Sequence, residues 1–352
     1  MPLDLWGTAD LMAAQQDDRA APPDGFWLRY YTTPFLSESE QIIFDQLPDL
    51  DRRLAPFVAP HIQGRVMRAK GQAMASFSPA YLKPKHVVDP SMAVPRMPGE
   101  PILGNLSLEA RFDRIVADRL RLQREMIERR WDWMAAMATI YGYVDVAGED
   151  YTPVRVDFKR DPALTVTLAG TARWDQADAN PLADFRAVRK TAFGLGKSPI
   201  RDIIFGLDAW AEFSPREDIK QLMNNTFRGS ESLVNITGFD DGSPVEFQGQ
   251  ISGPDGAGRL NLWTYSNEYE DPVDGVLKPV LDPKEVVGVG GALQGVRCFG
   301  AIRDKRAGLR ATDMFAKMWE QEDPSVVYVM TQSAPLMVPR NTNNSFRMRV
   351  LS

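Results

Sequence analysis

Residues Gly194 to Ser198 read Gly-Leu-Gly-Lys-Ser and match the end of a P-loop, the motif that binds nucleotide phosphates. A P-loop also needs an earlier glycine, here at position 191, and a helix after the serine whose N-terminal amides hold the phosphates. This chain has Thr191 instead, and Pro199 follows the serine and leads into a predicted strand. We therefore interpret the segment as the end of a helix followed by a turn.

A second glycine-rich run, from Gly288 to Leu293, resembles the start of a dinucleotide-binding fingerprint. That fingerprint requires glycine or alanine at its sixth position and an acidic residue after a second strand. Leu293 occupies the sixth position, and no acidic residue ends a second predicted strand. A close turn that glycine permits is the interpretation that this pattern favours.

Few other residues have the type and spacing that catalysis or metal binding requires. The two histidines, His61 and His86, are not spaced as metal ligands, and the single cysteine, Cys298, allows neither an intrachain disulfide nor a thiolate zinc cluster. The acidic runs 240–243 and 268–271 are interpreted as a turn and a solvated loop. We predict no catalytic residue, no metal site and no cofactor, and hence a protein that is not an enzyme.

The segment 78–92 is the most informative part of the chain. Its prolines at positions 79, 84 and 90 exclude a helix or a central strand, and favour a long extended loop over roughly residues 60–103. Apolar residues in this loop have no core within the segment, so we predict a projecting arm that lies on another chain. Lys83, Lys85 and His86 fit either an acidic partner surface or a solvated basic patch, and the residues alone leave both open.

The strongest predicted element is a helix over 107–141, with Ser107 as its cap and Gly142 at its end. It is far longer than the usual helix of about 12 residues, so it is predicted to cross the molecule as a strut. Alternating segments between residues 143 and 168 predict strands. Further predictions are helices over 181–192 and 208–224, a buried strand over 200–205, strand-like pieces within 236–285, a helical turn over 312–319 and a final strand over 326–338. These elements indicate the α+β class.

Composition points to an ordinary globular protein without a membrane span. The chain has 352 residues, 44% of them hydrophobic, and a formal net charge of −6, so it is not a nucleic-acid binder by overall charge. No stretch approaches the roughly 18 consecutive apolar residues of a transmembrane helix, and the N-terminus lacks the basic region of a secretory signal. We expect the protein to be made and used in the cytoplasm.

Three separate stretches resemble the lambda-type phage major capsid proteins, the protein E family. The residues that match are Tyr81-Leu-Lys-Pro-Lys-His-Val-Val-Asp-Pro-Ser-Met92, Gly295-Val-Arg-Cys-Phe-Gly-Ala-Ile302 and Val329-Met-Thr-Gln-Ser-Ala-Pro-Leu-Met337. Their order and spacing also fit the family. The resemblance covers nearly the whole chain, with the region 236–285 matching least.

The resemblance implies a Hong Kong 97-type phage capsid fold. It predicts an N-terminal arm and lead-in over 1–59, an extended loop over 60–103, a peripheral domain over 104–180 with a spine helix, an axial domain over 181–311, and a return to the peripheral domain with a closing strand over 312–352. Candidate inter-subunit contacts are Tyr81, Lys83, Pro84, Lys85, His86, Pro90 and Met92. The family-matching structural residues are Gly295, Arg297, Gly300, Gln332, Ser333, Ala334 and Pro335.

The implied function is that of a major capsid protein of a tailed phage or prophage, located in the virion. Copies of the chain would form hexamers and pentamers, with scaffolding, portal and decoration proteins as further partners and non-specific contact with packaged DNA. The alternatives are a nucleotide-binding enzyme that uses the loops 194–198 or 288–293, or a shell protein of a gene-transfer particle or bacterial nanocompartment. The three stretches and the incomplete nucleotide motifs favour the phage capsid.

Overall fold

A computed structural model describes residues 6–17, 25–38, 42–46, 73–77, 79–96, 106–148, 151–220, 244–252, 258–272, 274–323 and 325–352. Its helices are α1 (Thr8–Asp17), α2 (Leu108–Ile140), α3 (Pro181–Gly196) and α4 (Leu207–Phe213). Its strands are β1 (Thr33–Leu36), β2 (Ile42–Gln46), β3 (Ala73–Phe77), β4 (Lys85–Val88), β5 (Tyr143–Gly148), β6 (Tyr151–Asp157), β7 (Thr165–Thr167), β8 (Ile200–Phe205), β9 (Val245–Ser252), β10 (Arg259–Tyr265), β11 (Glu268–Glu270), β12 (Leu277–Pro279), β13 (Glu285–Gly290), β14 (Val296–Phe299), β15 (Phe315–Gln321), β16 (Val326–Gln332), β17 (Pro335–Val338) and β18 (Ser345–Arg349).

The chain divides into two compact units, each built from three separate segments. The first unit comprises Met1–Ile42, Ser76–Ala135 and Val296–Met337, and the second comprises Ile43–Ala75, Ala136–Gly295 and Val338–Ser352. Each unit therefore brings together residues that are far apart in sequence.

The first unit is organised around the N-terminal part of α2. The Ser107 hydroxyl accepts a hydrogen bond from the Ala110 amide at 3.1 Å, which caps the helix as predicted. The buried face of α2, which includes Phe112, Val116 and Leu120, packs on one side of a three-stranded antiparallel sheet in the order β15-β16-β4. This packing explains why apolar residues recur at three- and four-residue steps along this helix.

A second three-stranded sheet has the order β1-β14-β17, with β1 and β14 parallel. Near the chain segment that leads into it, the buried Asp132 of α2 accepts hydrogen bonds from the backbone amides of Trp27 at 2.9 Å and Leu28 at 3.0 Å. Those amides open a short 3₁₀ helix and have no partner within it. A buried carboxylate thus fixes the N-terminal segment to α2 within the first unit.

The second unit contains a mixed six-stranded sheet in the order β7-β18-β13-β8-β10-β9. Its core is aromatic: Trp174, Phe185, Phe205 and Phe213 lie together with ring centroids 4.8–6.4 Å apart. The helix α3 contributes Phe185 to this cluster and is capped at its start by Asn180, whose side chain accepts from the Ala183 amide. Three two-stranded sheets, β2–β3, β5–β6 and β11–β12, complete the described strands.

Three predicted elements are wrong in extent or type. The helix predicted over 208–224 begins one residue earlier and is interrupted after Phe213, because Pro215 cannot continue a helix interior; residues 217–220 are helical again, and residues 221–224 lie outside the described part of the chain. Residues 315–321 form a strand, β15, where a helical turn was predicted over 312–319, because β16 supplies its backbone hydrogen bonds. The single strand predicted over 326–338 is two strands, and the last strand of the chain is β18.

The predicted domain boundaries remain predictions, but the compact units divide the chain at other positions. Residues 296–311, predicted within the axial domain, belong to the first unit, and residues 338–352 belong to the second. The strands of the predicted peripheral domain also lie in different sheets: β5 and β6 form a hairpin, β7 joins the six-stranded sheet, and β15 and β16 form a sheet with β4. Strand partners are set by long-range contacts that alternation along the chain does not specify.

Candidate inter-subunit surface

The three stretches that carry the family resemblance meet in the first unit. Leu82 and Ser333 exchange both backbone hydrogen bonds, at 2.8 and 3.0 Å, and the Gly300 amide donates to the Ala334 carbonyl at 2.9 Å. The Tyr81 hydroxyl donates to the Ala301 carbonyl at 2.6 Å. Leu82 and Ser333, which are 251 positions apart in sequence, are thereby joined backbone to backbone.

Gly300 is required at this junction by close packing. A Cβ atom at this position would lie 2.6 Å from Pro79 Cγ and 3.7 Å from Ala334 Cβ. The first distance is well inside van der Waals contact, and the ring of Pro79 is buried and rigid. Gly300 therefore allows Pro79 of the loop to approach the chain directly after β14.

The strand β4 is an edge strand of the α2-facing sheet. It pairs antiparallel with β16, with Lys85 opposite Met330 and Val88 opposite Val327. Val88 is fully buried in the core beneath α2, whereas Lys85 and Val87 alternate to the exposed face. The segment 79–96 thus packs on its own chain, and the prediction that the whole loop projects away from its subunit is wrong for these residues. Residues 60–72 and 97–103 lie outside the described part of the chain.

The exposed face of this sheet carries lysines beside aromatic rings. Lys85 Nζ lies 4.8 Å from the Tyr328 ring centroid, and the Tyr328 ring stacks on Trp319 at 5.3 Å. Lys83 Nζ lies 4.9 Å from the Tyr81 ring centroid. Both lysines are exposed, so each keeps a charge in contact with solvent while its stem covers an aromatic surface.

The remaining candidate contacts of the loop have defined positions. The Pro84 carbonyl accepts from the Thr331 amide at 3.2 Å, which extends the pairing of the loop with β16. Pro90 begins a 3₁₀ helix over Pro90–Ala93, and Asp89 caps it by accepting from the Ser91 amide. That hydrogen bond lowers the pKa of Asp89. Met92 is 44% exposed, so its side chain is available to a partner.

Gln332 and Ser333 hold the turn between β16 and β17. The Gln332 amide donates to Asp304 at 3.1 Å, and Asp304 also receives Lys317 Nζ at 2.6 Å. Burial by itself raises the pKa of Asp304. The hydrogen bonds from Lys317, the Arg306 backbone amide and the Gln332 side chain outweigh burial, so the pKa is lowered. The Ser333 hydroxyl donates to the Asp313 carbonyl at 2.6 Å. These residues stabilise the first unit from inside and leave no side chain exposed for a partner.

The other family-matching residues are also internal. Arg297 lies on β14 opposite Pro34 of β1 and is half-buried, and Gly295 directly precedes that strand. Pro335 begins β17 and is buried, as is Ala334. The structure thus separates the predicted residues into a buried or half-buried set and an exposed set that consists of Lys83, Lys85 and Met92.

Sequence reasoning missed the residue that joins the loop to the helix. Gln123 is fully buried on α2, where it contacts both His86 of β4 and Thr331 of β16. The available signal was a polar residue on the apolar side of α2, between Leu120 and Ile127, which are themselves buried.

Both glycine-rich loops have structural roles. The segment 194–198 ends α3, with Lys197 in the left-handed conformation at φ 58°, and β8 follows where a P-loop requires a helix. Gly288 lies within β13, where the Phe346 ring occupies the space that a Cβ atom would need. Neither loop has the geometry of a nucleotide site, so the structure gives no support to the enzyme alternative.

Among the described residues, no group of three or more His, Cys, Asp or Glu side chains is placed to hold a metal ion. No helix in the described ranges is long and apolar enough to cross a membrane. Cys298 is buried on β14 and is not in a disulfide.

Comparison with known proteins finds the same family along most of the chain. Residues 36–350 match the family of phage major capsid protein E. The major capsid protein of Escherichia phage lambda is 29% identical over 344 residues, covering 96% of each chain, and that of Escherichia phage N15 is 29% identical over 346 residues with the same coverage. A crystal structure of a prophage protein of E. coli CFT073, assigned as a capsid protein, superposes with a TM-score of 0.74 at 23% identity, covering 98% of this chain and 99% of that one. The fold, mixed helix and sheet, is that of phage capsid proteins and is consistent with the predicted Hong Kong 97 type.

Proposed function

The chain belongs to the phage major capsid protein E family, and we propose that its copies assemble into the hexamers and pentamers of an icosahedral shell that encloses double-stranded DNA. It is a major capsid protein of the kind found in lambdoid phages and prophages, and hence a structural component of the virion. The observation that carries this conclusion is the family match over residues 36–350, which covers most of both compact units.

The exposed part of the loop is our candidate for a contact between subunits. Lys83, Lys85 and Met92 project from a segment whose backbone is already held by β16 and by a capped 3₁₀ helix. Because this backbone is ordered before any partner binds, little further conformational entropy is lost on docking. Two exposed lysines beside an apolar side chain suit an acidic surface on a neighbouring copy, in keeping with the net charge of −6.

Tyr81, Pro84, His86 and Pro90 are proposed to act indirectly. Their described contacts are with their own chain, through the Ala301 carbonyl, the Thr331 amide, Gln123 and the 3₁₀ helix. We assign them the role of holding the exposed residues in place for a neighbour.

The further partners follow from a role in a phage head. We propose association with scaffolding, portal and decoration proteins, non-specific contact with packaged DNA, and assembly in the host cytoplasm. As a structural protein of this family, the chain is proposed to have no enzymatic activity. Many weak contacts repeated around symmetry axes give such a shell its stability, without any single tight interface.

Sedimentation velocity and electron microscopy of the purified chain test the assembly proposal. We expect rings or shells whose proportion rises with protein concentration. A folded chain that remains monomeric over a wide concentration range, including in the presence of a scaffolding protein from the same phage type, would contradict it. Titration with labelled ATP and NAD tests the absence of a nucleotide site, and we expect no saturable binding.

A further inference from the structure

The buried side chain of Gln123 has three hydrogen-bond partners from two strands. Its Nε2 atom donates to the Val329 carbonyl at 2.8 Å and lies 2.9 Å from His86 Nδ1. Its Oε1 atom accepts from the Thr331 hydroxyl at 2.8 Å. Gln123 is 0% exposed, so these partners replace all the water that the amide would otherwise bind.

These contacts determine which atom donates at each position. A backbone carbonyl can only accept, so the side of the Gln123 amide that faces Val329 must be the NH₂ group. The same NH₂ group faces His86 Nδ1, which must therefore be an unprotonated acceptor, with the imidazole proton on Nε2. If His86 were protonated, its Nδ1–H group would face the NH₂ group of Gln123, and both groups are donors. The Gln123 amide cannot rotate to offer its oxygen instead, because the Val329 carbonyl requires the NH₂ group on that side.

We propose that His86 and Gln123 form a pH-sensitive latch, in which the neutral imidazole holds β4 on its own sheet and protonation of His86 loosens it. Among the described strands β4 is at the sheet edge, where it is also attached by the pairing with β16, the burial of Val88 and the contact of Lys85 with the Tyr328 ring. Loss of the His86 contact therefore acts on a short strand that has one partner strand in the described part of the chain. The latch is a property of the folded chain and does not depend on the proposed assembly.

The charged surroundings of His86 act in the same direction. Burial, followed by the charge of Arg119 on α2, lowers the pKa of His86 below its ordinary value of 6.5. The strand β16 presents no charged side chain, since residues 326–331 are Val-Val-Tyr-Val-Met-Thr, and Lys85 is the cationic neighbour on β4 itself. A lowered pKa in the docked state means that this contribution to stability is complete well above pH 6.5 and is lost as the pH falls below it.

Hydrogen–deuterium exchange of the full-length chain at about pH 7.5 and about pH 5 tests the latch, because these values bracket histidine titration. Exchange is corrected for its intrinsic pH dependence, and sedimentation at both values establishes the assembly state. We expect the protection of residues 85–88 to fall severalfold at the lower pH. Each pKa unit by which docking lowers the pKa of His86 corresponds to about a tenfold fall in that protection. The buried strand β8 serves as the internal reference and should keep its protection. Unchanged protection at 85–88, or an equal loss in β8, would overturn the proposal.

Two histidine variants separate His86 from other titrating groups. In His86→Asn the Oδ1 atom replaces Nδ1 as the acceptor and does not titrate, so the response of residues 85–88 should disappear. His61→Asn is the matched control, since His61 is the only other histidine, and it should retain the full response. A response that survives His86→Asn, or that vanishes in His61→Asn, would assign the effect elsewhere.

Gln123→Glu tests the direction of the hydrogen bond. A carboxylate accepts from protonated His86, and it loses the hydrogen bond to the Val329 carbonyl at both pH values. This variant should therefore raise the pKa of His86 and make residues 85–88 better protected at the lower pH than at the higher. If Gln123 only filled space, the Gln123→Glu variant would show weaker protection of residues 85–88 at both pH values, and the higher pH would still give the better protection. Independently, the imidazole resonances of the unmodified protein report its pKa, and titration of His86 at or above 6.5 would refute the latch.

Discussion

Three glycines in this protein mark places where another residue occupies the position of a side chain. Phe346 lies against Gly288, the Asn344 side chain against Gly290, and Pro79 against Gly300. The run from Gly288 to Leu293 resembles a cofactor-binding motif because close packing and close approach to a phosphate both require the absence of Cβ.

We predict that Gly288→Ala lowers the free energy of unfolding by about 1–3 kcal/mol, because the Phe346 ring is fully buried and has little room to move. Gly291→Ala, three residues along the same run, is the matched control. Gly291 is exposed and has no atom within 4 Å of the added Cβ, so its change should stay within about 0.5 kcal/mol. Thermal denaturation measures both variants.

The opposite ranking would contradict the packing role of Gly288. It would show that the space beside β13 is open, and would make a ligand site along this run worth testing again.

The long helix α2 is stabilised at its C-terminal end by an arginine. Arg160 donates to the Ile140 carbonyl at 2.7 Å and the Thr139 carbonyl at 3.1 Å, two groups with no partner inside the helix. Burial lowers the pKa of Arg160 to about 10, which leaves it charged at neutral pH. Gly142 follows the helix at φ 77°, and a Cβ atom there would lie 2.7 Å from Arg160 Cβ.

We predict that Arg160→Met destabilises the protein by on the order of 2 kcal/mol, because methionine keeps the buried stem and loses the charged hydrogen bonds to the helix end. Chemical denaturation at neutral pH measures the effect. Arg155→Met is the control, since Arg155 forms an exposed bidentate pair with Asp145 at 2.6 and 2.7 Å on the β5–β6 hairpin. It should be indistinguishable from the unmodified protein. Equal losses in both variants would show that Arg160 does not act through the helix terminus.

At the scale of the whole molecule, we propose that the residues of the three family-like stretches divide between holding the subunit together and contacting neighbours. The junction of Leu82, Gly300, Ser333 and Ala334 joins three distant stretches inside the first unit. Lys83 and Lys85 lie beside this junction and remain exposed. A charge change at the lysines should therefore affect assembly without affecting folding.

We predict that Lys83→Glu with Lys85→Glu weakens or abolishes shell formation and makes the remaining assembly more sensitive to salt. Exposed pairs contribute only about 0–1 kcal/mol each, but a shell repeats them in every subunit. The free energy of unfolding of the subunit should change by no more than about 1 kcal/mol. Electron microscopy and sedimentation at several salt concentrations measure assembly.

The charge-conserving pair Lys83→Arg with Lys85→Arg is the control and should assemble normally. Normal shells from the double glutamate variant at low salt would refute the role of the lysines. A lowered melting temperature in that variant would instead mean that the two lysines support the subunit through Tyr81 and Tyr328.

The sequence by itself determined the features that depend on local patterns. The apolar repeat and Ser107 located α2 to within a residue at each end, and Thr191 with Pro199 excluded a P-loop. The three family-like stretches identified the class of protein and its fold. Each of these rests on neighbouring residues, whose spacing reflects helix geometry or the requirements of a motif.

The tertiary structure decided which distant segments meet. Prolines correctly indicated an extended chain at 79–90, but an extended chain pairs equally well with another subunit or with its own sheet. The choice of β16 as the partner of β4 depends on Val88 fitting the core beneath α2 and on the buried amide of Gln123 meeting His86. Such contacts join residues separated by 37 positions, for His86 and Gln123, to 245 positions, for Lys85 and Met330. No local propensity encodes them, because their free energy arises only when the whole unit has formed.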